Sequence, residues 1–135
     1  MPSFDDAATT AAPVEEVWKI LYDPSRFPEW WAGVGSVQDP RASGDGTDYT
    51  MYPDGYPDFP MPQTLRTSAA GHRVIVSCLV TDQVFAWTLE PRVDAGTTIR
   101  VHVDVPDADA RRLADQQAVI AASLQNLARL AAMAN

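Results

Sequence analysis

Apolar positions first return at helical spacing: Val14, Val17, Trp18 and Leu21 fall on one side of a helix between Pro13 and Asp23. Pro13 stands where a first helical turn tolerates a missing N–H, and Glu15 and Glu16 lie near the positive end of the helix dipole. The pattern predicts an amphipathic helix over 13–21. Asp23 followed by Pro24 repeats the start signal, with Asp23 able to cap orphan N–H groups, while Phe27, Trp30 and Trp31 supply the apolar side of a short second helix. Gly33 and Gly35 then release the chain into a strand.

Further on, the period shortens to two. Ile99, Val101, Val103 and Val105 share one face and Thr98, Arg100, His102 and Asp104 the other, which predicts a half-buried strand over 97–105. Strands are also expected over 34–38, 47–52, 64–68, 72–79 and 84–90, and over 4–11, where Thr9 and Thr10 favour extended backbone but alternation is poor. Asp45 and Gly46 supply hairpin-turn chemistry. Residues 52–62, YPDGYPDFPMP, hold four prolines that bar regular structure and keep Tyr56 and Phe59 at a loop tip.

Pro106 ends the last strand, Asp107 is placed to cap a new helix, and no Gly or Pro interrupts the Ala-rich run to Ala134. Leu113, Gln117, Ile120, Leu124, Leu127 and Ala131 form a stripe, widened by Ala121 and Ala128, that must lie against a sheet. The expected architecture is α+β: a curved antiparallel sheet of about seven strands around a long C-terminal helix, with two short helices after the first strand.

At 135 residues the chain suits one domain, 1–135, able to bury roughly two thirds of the surface it exposes unfolded. A net charge of -8, with Lys19 the one lysine, argues against nucleic acid and anionic membrane surfaces. Cys78 has no second cysteine to pair with, and MPSFDDAATT lacks the basic and apolar regions of a secretory signal, so a cytoplasmic protein is expected. No apolar run approaches the roughly 20 residues that span a bilayer, so no membrane insertion is expected.

Signals for chemistry are sparse. His72 reads as a turn residue and His102 as an exposed member of a polar strand face. Asp104, Asp107 and Asp109 lack the glycine and terminal Glu of a calcium loop, and two histidines with one cysteine make no zinc pattern, so no metal or cofactor is expected. Cys78 reads as a small buried hydrophobe. Neither a G-x-S-x-G elbow nor a phosphate-binding glycine loop is present.

The set Pro13, Val17, Trp18, Asp23, Pro24, Trp30 and Gly33 resembles the entry segment of the SRPBCC superfamily, the Bet v 1, START and polyketide-cyclase group. VFAWTLEPRVDAGTTIRVHVDV, with Trp87, Leu89, Pro91, Gly96 and Thr97, is similar to its final hairpin, and ASLQNLARLAA to its last helix. The resemblance implies a helix-grip fold with a cavity between sheet and helix that takes a hydrophobic or amphipathic small molecule such as a lipid, isoprenoid or polyketide-like compound. The residues compatible with lining it are Trp30, Trp31, Tyr49, Met51, Phe59, Met61, Leu65, Phe85, Trp87, Ile120 and Leu124, although large aromatics fill cores as readily as pockets. Gln117 interrupts the apolar stripe: buried, it would need a ligand or water as partner, and a slightly rotated helix would instead give it to solvent. Two other roles are implied by relatives. One is a cyclase or dehydratase using the same cavity, with Tyr49, Arg66 and Gln117 as candidates, and the other is a protein-interaction module.

Overall fold

The computed structural model describes residues 2–44 and 46–133, so the expectations for Asp45 and Ala134 lie outside the described residues. Strand β1 (Ser3–Thr10) leads into helix α1 (Val14–Leu21), a 3₁₀ turn (Pro24–Arg26) and helix α2 (Phe27–Trp30). Six strands follow: β2 (Val34–Ser43), β3 (Gly46–Pro53), β4 (Met61–Ser68), β5 (Arg73–Cys78), β6 (Val84–Pro91) and β7 (Thr97–Asp104). A second 3₁₀ segment (Asp107–Arg112) runs into helix α3 (Leu113–Met133). None of the described helices is long and apolar enough to cross a membrane.

The strands form one antiparallel sheet in the order β1-β7-β6-β5-β4-β3-β2. Because β1 and β2 are consecutive strands at opposite edges, α1 and α2 must carry the chain across the whole sheet. Asp23 stops the first helix and starts the next turn by accepting a hydrogen bond from the Ser25 N–H at 3.0 Å. The concave face buries Leu65, Val74, Val76, Trp87, Leu89, Ile99, Val101 and Val103, against Val17, Ile20 and Leu21 of α1 and Ile120, Leu124 and Leu127 of α3. Two buried threonines lock the β1–α1 corner: Thr97 Oγ1 donates to the Ala12 carbonyl at 2.8 Å, and Thr10 Oγ1 to the Ala128 carbonyl at 2.9 Å.

Several boundaries differ from expectation. The inner face of β1 consists of Phe4, Asp6, Ala8 and Thr10, small or polar apart from Phe4, so the alternation is masked in the sequence. Strand β2 continues to Ser43 because a bulge between Gln38 and Arg41, with Asp39 at φ 53°, absorbs the break in register. The loop between β3 and β4 is shorter than expected, 54–60, since pairing continues through Met51 and Met61. Asp107 does not cap: Pro106 takes that place, and Asp107 sits in the first 3₁₀ turn, where its charge still faces the positive end of the dipole.

The buried side of α3 also departs from the predicted stripe. In the C-terminal half it comprises Leu124, Leu127, Ala128 and Ala131, whereas towards the N-terminus it shifts to Gln116, Val119, Ile120 and Ser123. Gln117 and Ala121 fall off this drifting face and are exposed.

His72 closes the turn between β4 and β5 at φ 47° and docks on α1, its Nε2 3.2 Å from Glu15 Oε1 and its ring edge-on to Trp18 at 5.5 Å. On the convex face, His102 is held from both sides, Nδ1 2.8 Å from Asp5 Oδ1 and Nε2 3.1 Å from Asp104 Oδ1. The Asp5 hydrogen bond, seconded by Asp104, raises the imidazole pKa above its usual 6.5. A raised folded-state pKa means that the stabilisation is complete below about pH 6.5 and fades as pH climbs through the folded value. An NMR titration should therefore place the His102 midpoint above 6.5, and Asp5→Asn should bring it down.

Candidate functional site

Inward-facing positions of four neighbouring segments align into a polar row. Tyr49 on β3 is paired with Gln63 on β4, Gln63 with Cys78 on β5, and the Cys78 N–H donates to the Gln83 carbonyl at 2.9 Å, just ahead of β6. All four side chains are 4–5% exposed. The next row towards the sheet end is Met51 with Met61, and the row below is Thr47 with Leu65. Period-2 alternation thus delivers two flexible thioethers and four polar groups to one patch of the concave face.

Over this patch lies a cavity of about 260 Å³. Phe27, Trp31 and Phe85 give it aromatic walls, Gln116 and Val119 of α3 close its far side, and Gly33, Pro53, Thr81 and Arg112 lie around it. The walls belong to a larger aromatic cluster. Trp31 meets Phe85 edge-on at 5.0 Å and Trp87 at 5.2 Å, stacks on Trp30 at 5.4 Å, and Phe27 contacts Trp30, Trp31 and Tyr49. Such edge and offset contacts give each pair about 0.5–1.5 kcal/mol beyond burial and fix the ring planes.

Helix α3 holds this wall in place. Ser123 Oγ accepts the Ala32 N–H at 2.9 Å while donating to the Val119 carbonyl at 2.7 Å, and Asn126 Nδ2 donates to the Trp30 carbonyl at 3.2 Å. Two helix side chains therefore grip the backbone on both sides of Trp31. Gly33, at φ 90°, turns the chain from there into β2 in a conformation that a side chain disfavours.

The polar row is poorly matched by protein partners. Gln63 Nε2 makes one long bond, 3.4 Å to the Met61 carbonyl, and neither the Tyr49 hydroxyl nor the Gln83 carboxamide bonds to another described residue. Burial, reinforced by nearby Cys78, pushes the Tyr49 pKa far up, so the phenol stays protonated and available as a donor. The row thus presents donors and acceptors to the cavity. Among the described residues, no group of three or more His, Cys, Asp or Glu is placed to hold a metal ion.

Of the residues singled out from sequence, Trp31, Tyr49, Met51, Met61 and Phe85 line the cavity. Trp30, Leu65, Trp87, Ile120 and Leu124 are instead fully buried in the core, none more than 1% exposed. Phe59 projects from the 54–60 loop, 54% exposed. Gln117 points to solvent, and its neighbour Gln116 takes the cavity position. Arg66 alternates out of the buried set Gln63 and Leu65 to the convex face, where its Nη1 donates to the Leu65 carbonyl at 3.2 Å and lies 3.6 Å from Asp48 Oδ1. Sequence reasoning missed Phe27, Gln63, Gln83, Arg112, Gln116 and Val119. Extending the alternation of β4 back to Met61 would have found Gln63.

A seven-stranded sheet gripping a long helix over a partly aromatic cavity defines the helix-grip class. The model of the polyketide cyclase/dehydrase and lipid transport family matches residues 1–132, and the chain belongs to that family. Similar solved structures include the Zhui aromatase/cyclase from Streptomyces sp. R1128, 14% identical, covering 96% of this chain and 93% of that one with a TM-score of 0.78. A protein from Thermobifida fusca is 19% identical over 97% and 93% of the two chains (TM-score 0.76), and XoxI from Bacillus cereus 12% over 96% and 95% (TM-score 0.77). No protein of curated function matches the chain.

Removing the Ser123 hydroxyl leaves the Ala32 N–H without its acceptor, a loss of about 1–3 kcal/mol. Ser123→Ala should lower the stability in urea denaturation by that amount and loosen Trp31, visible as a red shift of tryptophan emission.

Proposed function

We propose that the protein binds a compact, largely apolar small molecule between the concave sheet face and α3. The observation that carries this reading is the row Tyr49–Gln63–Gln83, buried against aromatic walls with hydrogen-bonding capacity that the protein does not use. Typical ligand pockets hold about 300–1,000 Å³. At about 260 Å³, this cavity suits a molecule of one or two rings better than an extended acyl chain. Within the range of lipid, isoprenoid and polyketide-like ligands that the family suggests, size therefore favours a short cyclic compound.

A catalytic use of the same site would rest on Tyr49. Its protonated hydroxyl suits donation to a carbonyl oxygen, the step by which a buried phenol polarises a ketone. The lining residues include no carboxylate or histidine to act as general base, so proton removal would fall to the substrate itself or to water.

Native mass spectrometry of the protein purified from its own host is expected to show a defined small-molecule adduct. Val119→Trp, which places an indole in the cavity from α3, should abolish the adduct while the far-UV circular dichroism is kept. No adduct on the natural chain, or an undiminished one on Val119→Trp, would refute the reading.

A further inference from the structure

We infer that the ligand carries an uncharged hydrogen-bonding group at its inner end and an acidic group at its outer end, the first met by Gln63, Gln83 and Tyr49 and the second by Arg112. This inference rests on the cavity being the ligand site and adds the chemical class: a compact ring compound bearing a carboxylate.

The distribution of charge is the first argument. The chain has 18 acidic and 10 basic residues, yet no acidic residue lines the cavity, and the one charged residue that does is Arg112. Against a surface so rich in carboxylates, a wall without any is selective for what it admits, because a carboxylate beside the ligand would repel an acid and attract an amine.

The state of Arg112 is the second. Its Nε lies 4.0 Å from Asp109 Oδ1, at the outer limit of an ion pair, and its guanidinium makes no hydrogen bond to another described residue. Its planar fork is therefore open to a bidentate carboxylate, the geometry arginine serves best. Arg112 ends the 3₁₀ segment, and its side chain is 56% exposed, so an acid held there stays close to water and avoids full desolvation.

No countercharge stands among the buried lining groups. Tyr49, Gln63, Cys78 and Gln83 sit with the aromatic walls, and an ion pushed among them would lose several kcal/mol of hydration without repayment. A neutral hydroxyl or carbonyl costs far less and finds donors in both carboxamides and in the phenol, with acceptors in the glutamine oxygens. The two ends of the ligand are thereby sorted: neutral polar inward, acidic outward.

The test uses 4-hydroxyphenylacetate, its methyl ester and phenylacetate as probes in isothermal titration calorimetry with the full chain. The acid should bind at least tenfold more tightly than the ester, and Arg112→Gln should erase that ratio while ester binding persists. Gln83→Leu should erase the preference for 4-hydroxyphenylacetate over phenylacetate and leave the acid-to-ester ratio intact. Equal binding of acid and ester, or an unchanged ratio in Arg112→Gln, overturns the inference while leaving the cavity reading standing. Failure of all three probes to bind at millimolar concentration also overturns it, and binding undiminished in Val119→Trp would instead place the probes outside the cavity and sink the underlying reading.

Discussion

Strands β1 and β2 follow one another in the chain and lie at opposite edges of the sheet, and the rest of the molecule depends on how the segment between them makes that crossing. Helix α1, the 3₁₀ turn and α2 together make that crossing, over residues 11–33, and pack their apolar sides on the concave face of the sheet. The crossing segment and α3 share the concave face, and between them they leave the cavity open. Ser123 and Asn126 fasten the far end of the crossing to α3 through the backbone of Ala32 and Trp30. The helix that fills the grip is thus also what fixes one wall of the cavity.

The adjacent tryptophans show how core and site are joined. Trp30 is sunk between Phe27 and Trp87, and Trp31 turns its ring to Phe85 and the cavity, yet the two indoles stack on each other. Anything that shifts Trp31 is felt by a fully buried neighbour. Neither Trp30 Nε1 nor Trp87 Nε1 finds an acceptor among the described residues, although a buried N–H without a partner costs about 1–3 kcal/mol. Their rings meet edge-on at 5.1 Å, and the packing of this cluster offsets that cost.

Much of the fold is legible because it rests on strong local signals. The alternation of β7, the helical spacing of Val14 to Leu21 and the Asp23–Pro24 start each point to one conformation, and the motifs around Trp18, Trp30 and Trp87 identify the family. What stayed hidden is what tertiary geometry decides. Gln116 and Gln117 differ by one step of about 100° around a helix, and which of them meets the cavity depends on how the buried face of α3 drifts along its length. Trp30 and Trp31 are chemically identical in sequence. The proline-rich 52–62 stretch concealed the first residues of β4 and with them Gln63, while Arg112 belongs to a polar 3₁₀ segment with no periodicity to read.

The bulge at Asp39 has a consequence for the outermost strand. An open sheet has two unpaired borders, and a straight border strand offers its amides to any similar chain nearby. Along β2 the register breaks where Asp39 enters the left-handed region, and Pro40 has no N–H to offer. On the other border, β1 carries a carboxylate on each face, Asp5 on the convex side and Asp6 on the inner. A second copy meets a kinked, donor-poor ribbon at one border and charged side chains at the other, both of which disfavour edge-to-edge pairing.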